Sequence, residues 1–189
     1  MKRFITAIAL AVLCSATASA QPRAIGGRVG ATGLEASYEH TLGSNFIETD
    51  LGMDFGFAGL GFKATGIYNF VFARPAWTDR GTWGLYAGPG ISLGYVADMY
   101  RINWVNENLP GNPGNVRKFK YADYGFMFSF TGQVGLEYTF WFPLQLSVDI
   151  RPYIGLHVTD HNGMSNSRAE FYDYGLFGFI PTVSARFRF

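Results

Sequence analysis

The sequence predicts an all-β protein: a closed antiparallel up-and-down transmembrane barrel, most simply of eight strands. Three observations predict it. Apolar and polar residues alternate at period two almost to the last residue, and short turns alternate with long loops. Aromatic rings supply 17% of the chain beside 24 glycines, whereas charged residues supply only 15%. Period two is the side-chain period of a strand. The turn rhythm is that of a barrel with short turns at one end and long loops at the other, and rings in such number suit a boundary between apolar and wet surroundings.

Residues 1–20 begin with Lys2 and Arg3, continue with an apolar run from Phe4 to Leu13 and close on Ala18-Ser19-Ala20. This is the layout of a secretory signal peptide, with cleavage expected before Gln21 and residues 21–189 left as the barrel domain. The run is too short to cross a bilayer as a helix. Cys14, the single cysteine, falls in the removed segment, so the mature chain is expected to hold no disulfide. Without Lys2 and Arg3 the formal charge is −1, and such a balance offers no field to recruit nucleic acid.

Residues 23–41 read either as two short strands parted by a turn at Gly30-Ala-Thr-Gly33 or as one long strand with a bulge at Gly33. Strands follow near 45–57 and 59–73, joined by a tight hairpin at Gly56-Phe-Ala-Gly59, and then near 82–99, 121–140, 144–157 and 172–189. Turn residues fall at Leu42-Gly43-Ser44-Asn45, Arg74–Gly81 and Trp141-Phe142-Pro143. Longer breaks run from Tyr100 to Lys120 and from Thr159 to Glu170. Two short strands at the start give eight, an even number that leaves both termini at the short-turn end.

Alternation is clearest in Leu144–Arg151, where Leu144, Leu146, Val148 and Ile150 share one face and Gln145, Ser147, Asp149 and Arg151 the other. Phe128–Phe140 and Thr182–Phe189 follow the same rule. A soluble ligand-carrying barrel would turn its apolar face inward. Here the rings thicken at the strand ends, which argues for an apolar face in lipid. Phe70, Phe72, Trp77, Trp83, Phe140, Trp141 and Phe142 stand at the short-turn end. Tyr95, Tyr100, Trp104, Tyr121, Tyr124, Phe171, Tyr172 and Tyr174 stand at the other.

Parity then places a set of charges inside: Arg28, Glu35, Glu39, Glu48, Asp50, Asp54, Lys63, Glu137, Asp149, Arg151, Arg186 and Arg188. Eight strands leave room in the interior only for side chains, so these read as an ion-paired plug rather than a pore lining or a catalytic carboxylate pair. The expected core of the network is Arg28, Glu35, Glu48, Asp50, Asp54, Lys63, Glu137, Asp149, Arg151 and Arg186, with Asp54 and Lys63 facing across the 56–59 hairpin. His157, Asp160, His161 and Ser165 could be drawn into a hydrolase reading, but histidines in a polar loop are more simply solvated, and their spacing offers no complete metal shell. No catalytic residue, metal or cofactor is assigned. The glycine-rich stretches Gly26–Gly30 and Gly88–Gly94 lack dinucleotide-loop spacing and read as strand glycines beside large rings. Arg117-Lys118-Phe119-Lys120 closes the longest loop and reads as a solvated rim, or as a contact for lipopolysaccharide phosphates.

The segment Thr182-Val-Ser-Ala-Arg-Phe-Arg-Phe189 resembles the carboxyl-terminal insertion signal of outer-membrane barrels in Thr182, Phe187 and Phe189, with Ser184 in place of the usual glycine. Together with the signal peptide and the turn rhythm, the mature chain resembles in pattern the small eight-stranded outer-membrane barrels of the OmpX and OmpA membrane-domain type. The resemblance implies residence in a bacterial outer membrane, contact with its lipid and lipopolysaccharide, and delivery by the barrel-insertion machinery. A structural or surface-interaction role is expected. A narrow porin or small-ligand channel is the first alternative, and a lipid-A-modifying barrel enzyme the second.

Overall fold

The computed structural model describes residues 22–56, 59–99, 101–109, 112–121, 124–159 and 168–189, with side chains described at all of these except 56, 101–121 and 168. The expected signal peptide lies outside the described residues. Among the described residues twelve strands are formed: β1 Arg23–Gly30, β2 Gly33–Leu42, β3 Asn45–Gly56, β4 Gly59–Ala73, β5 Thr82–Ala97, β6 Arg101–Leu109, β7 Asn112–Tyr121, β8 Tyr124–Thr139, β9 Leu144–Ile150, β10 Tyr153–Thr159, β11 Arg168–Phe171 and β12 Thr182–Arg188. A 3-10 helix, Asp173–Phe179, separates the last two.

All strands but β6 and β7 join one antiparallel sheet that closes on itself. β1 pairs with β12, β12 with β9, and β9 with β8, which completes the ring through β5, β4, β3 and β2. β9 and β10 lie end to end along β8, and β11 and β12 together form the last stave, so the wall counts eight. β6 and β7 form a separate hairpin in the longest loop.

Residues 23–41 form two strands, the first of the two readings. Gly30 pairs with Gly33 around Ala31 and Thr32, and Gly33 takes φ +135°, where a side chain is disfavoured. Gly43 does the same at φ +64° in the turn between β2 and β3. Gly56 pairs with Gly59 at the expected hairpin, whose residues 57 and 58 lie outside the described ones.

Two departures from the sequence pattern occur on one side of the wall. The strand expected over 144–157 is parted at Arg151-Pro152, because Pro152 has no N–H for the ladder. The inward phase nevertheless carries through, with Arg151 and Tyr153 both buried. The strand expected over 172–189 begins only at Thr182, because β1 has run out: its ladder to β12 ends at Val29 opposite Val183. Above that level the chain has no β1 neighbour, and it coils. Arg151 N donates instead to Gly178 O at 2.7 Å, and Tyr172 N donates to Gly155 O at 3.0 Å.

Tyr172 and Tyr174, expected among the rings at the outer rim, are instead buried inside the barrel with Val96, Met127 and Tyr153. The other rings of that rim described in the structure, Tyr95, Tyr124 and Phe171, are exposed; the side chains of Tyr100, Trp104 and Tyr121 lie outside the described set. At the short-turn end Phe70, Phe72, Trp77, Trp141 and Phe142 are exposed. Trp77, Trp141 and Phe142 belong to a chain of ring contacts that includes Trp77 to Trp83 at 5.4 Å and Trp83 to Tyr138 at 4.6 Å, and Phe70 meets Tyr68 at 4.8 Å.

Candidate functional site: the charged interior

Every stave turns its polar residues inward. On β9, Gln145, Ser147 and Asp149 are buried while Leu146 and Val148 are exposed; on β8, Ser129, Thr131 and Gln133 are buried while Phe126, Phe128 and Phe130 are exposed. Glycine inside makes space for the largest groups. A Cβ on Gly135 would meet the Tyr86 ring and the Asp149 side chain.

Starting from the short-turn end, Gln145 Nε2 donates to Glu39 Oε2 and to Glu137 Oε2, each at 2.8 Å. Arg186 lies next, donating to Ser37 at 2.9 Å, Ser147 at 3.1 Å and Glu48 Oε1 at 2.6 Å. The same Glu48 oxygen accepts from Arg151 Nη2 at 2.5 Å, and Arg151 Nη1 donates to Asp50. Glu48 Oε2 accepts from Gln133 at 3.2 Å, and Gln133 accepts in turn from Asn69 at 3.1 Å. Two guanidinium groups thus clamp one carboxylate, an arrangement that only the short, directed bonds of charged pairs sustain away from water.

Farther along, Arg28 donates to Glu35 at 3.0 Å and to Asp149 at 2.6 Å. Lys63 sits 3.2 Å from the other Glu35 oxygen and 3.1 Å from Asp54, donates to the Thr32 carbonyl at 2.6 Å, and stands 4.8 Å above the Tyr153 ring. Tyr172 closes the series by donating to Asp54 at 3.1 Å. Tyr174 reaches the Ala31 and Phe55 carbonyls at 2.6 and 3.0 Å, spanning the tips of the two neighbouring hairpins. Arg28, Arg151 and Arg186 are each 2% exposed or less and fill the bore.

All ten residues of the expected network are buried in the bore, and nine of them join through contacts between opposite charges. Glu137 differs. Parity places it inside, but it lies two residues nearer the short turns than the β8 position facing Asp149, and it meets Gln145 instead of a base. Glu39 is buried beside it and Arg188 is half-buried at the end of β12. Phe187 and Phe189 point outward and are exposed.

Sequence reasoning singled out only the ionisable members. Gln145, Gln133, Ser37, Ser147 and Tyr86 complete their bonds, Tyr86 by approaching Asp149 at 3.4 Å. The same period-two parity marks all five, since they alternate with the apolar residues of their strands.

His157, read as belonging to a solvated polar segment, is a buried β10 residue whose Nε2 lies 2.9 Å from the Val96 carbonyl. Asp160, His161 and Ser165 lie outside the described residues. Among the described residues no cluster of three or more His, Cys, Asp or Glu side chains suits a metal ion. Comparison of the chain with models of known protein families, with curated proteins and with solved structures finds no match.

Proposed function

We propose that the chain is a non-conducting outer-membrane barrel with a structural or surface-interaction role. One observation carries this reading: the wall is inverted relative to a water-soluble protein. Exposed outward positions include Leu60, Phe62, Leu93, Phe126, Phe130 and Leu51, all more than half exposed, while the charged residues are buried in the bore. In water, so large an apolar surface would drive association. In a bilayer it is the surface that hydrocarbon requires, and the ladder closes the ring between β1 and β12. No helix among the described residues is long and apolar enough to cross a membrane.

Absence of conduction follows from the filled bore. Surface interaction would fall to the β6–β7 hairpin, whose Arg117-Lys118-Phe119-Lys120 run supplies positive charge for lipopolysaccharide phosphates. Phe187 on β12 and Phe189 just beyond it, both exposed, are the groups proposed to engage the insertion machinery. The test is reconstitution of the purified chain into planar bilayers. We expect a compact species on gels that loses its mobility shift only on boiling, and no steady single-channel current. A steady, large conductance would replace this reading with the porin reading.

A further inference from the structure

The buried cations of the bore do not serve every buried carboxylate. Arg28, Lys63, Arg151 and Arg186 lie within ion-pair reach of Glu35, Asp149, Asp54, Glu48, Asp50 and Glu39. Glu137, only 6% exposed, has no cation so placed among the described residues. It faces a partly enclosed cavity of about 200 Å³ at the short-turn mouth, with Glu39, Glu137 and Gln145 buried along it and Arg74 and Arg188 nearer solvent.

A second feature of this cavity points to a missing donor. Gln145 Nε2 is shared between the two carboxylates, which fixes the amide orientation, because the amide oxygen would be repelled there. Its Oε1 is then buried and accepts no bond. Two carboxylates and an amide oxygen therefore gather without enough N–H groups, and a primary ammonium brings three. A bare cation entering the mouth would have to pass the two guanidinium groups. A molecule that carries its own anion turns them into partners.

We propose that this cavity binds a small zwitterion, with a primary ammonium on Glu137, Glu39 and Gln145 and an attached phosphate or carboxylate toward Arg74 and Arg188. At roughly 30 Å³ per water the cavity holds about seven waters, enough for an amino acid or a phosphoethanolamine group and too little for a saccharide chain. The site does not depend on the membrane reading, since it opens at the mouth of the barrel in either solvent.

Calorimetric titration of the folded full chain with O-phosphoethanolamine should show saturable one-to-one binding. E137Q should weaken it at least tenfold while folding as well as the parent, since the change removes a buried charge that has no cation within ion-pair reach among the described residues. R74A should weaken phosphoethanolamine but not ethylammonium, and tetramethylammonium, which has no N–H, should not bind. If vesicles containing phosphatidylethanolamine raise the urea midpoint of the parent but not of E137Q, the source is a lipid headgroup; binding of the soluble compound without that shift identifies a free zwitterion. Absence of saturable binding of either form, equal binding by E137Q, or equal binding of tetramethylammonium would overturn the proposal.

Discussion

Arg28 lies between Glu35, its cross-strand neighbour on β2, and Asp149 on β9, two staves away across β12. Removing it takes a buried counter-charge from both carboxylates and leaves Asp149 only the Tyr86 hydroxyl, so Arg28→Ala should lower folding stability by about 3–5 kcal/mol. Arg80→Ala, at an exposed residue whose guanidinium stands 5.9 Å from the Trp141 ring, should change it by less than about 1 kcal/mol. Equilibrium unfolding in urea measures both. Outward positions respond to charge instead of to its loss. Val148→Arg should cost about 2–4 kcal/mol in a lipid bilayer if Val148 lies near the midplane, and equal stability of this variant and the parent in lipid vesicles would contradict the outward assignment. Which residues face the bore was legible, because parity needs only the sequence. Which charges meet was less so: partners depend on strand tilt and stagger, and Glu137 therefore meets an amide where a base was expected.

The 3-10 helix Asp173–Phe179 shows where pattern reading fails at the scale of an element. Tyr172, Tyr174, Thr182 and Ser184 all keep the inward phase, so 172–189 reads as one uninterrupted strand. One signal against it was local, Pro181 directly before Thr182, which has no ladder N–H, and the other was nonlocal. The short β1 leaves the upper part of the last stave without a neighbour, and no residue within 172–181 records the length of β1. Pro152 was a readable interruption for the same local reason, since it too has no ladder N–H. The helix is held by its neighbours: Asp98 accepts from Tyr174 N at 2.9 Å, and the Tyr174 hydroxyl bonds the tips of two hairpins. Tyr174→Phe should therefore destabilise the barrel by about 1–3 kcal/mol. Amide exchange should quicken around Ala31 and Asp173 before it quickens in β5 and β8; uniform acceleration along all strands would contradict a locally held helix.

At the scale of the whole molecule, the barrel is legible in sequence because one rule, apolar outward and polar inward, is repeated on every stave and is reinforced by two-residue turns whose glycines take positive φ. Its filling is also implied, since an eight-stranded bore has width only for side chains. The external hairpin β6–β7 was read as a loop: its Leu-Pro-Gly-Asn-Pro-Gly tip masks the strand character of the flanks, which pair from Arg101 opposite Tyr121 onward. The apolar wall is proposed to face hydrocarbon while the charges stay inside. The most direct measurement places a nitroxide in turn at Phe126, Phe128, Phe130 and Val134 of β8 in vesicle-reconstituted protein and compares relaxation by oxygen with relaxation by a water-soluble nickel chelate. The account predicts high oxygen and low nickel accessibility at all four positions. High nickel accessibility at these positions would mean that the wall stands in water, and it would contradict the account.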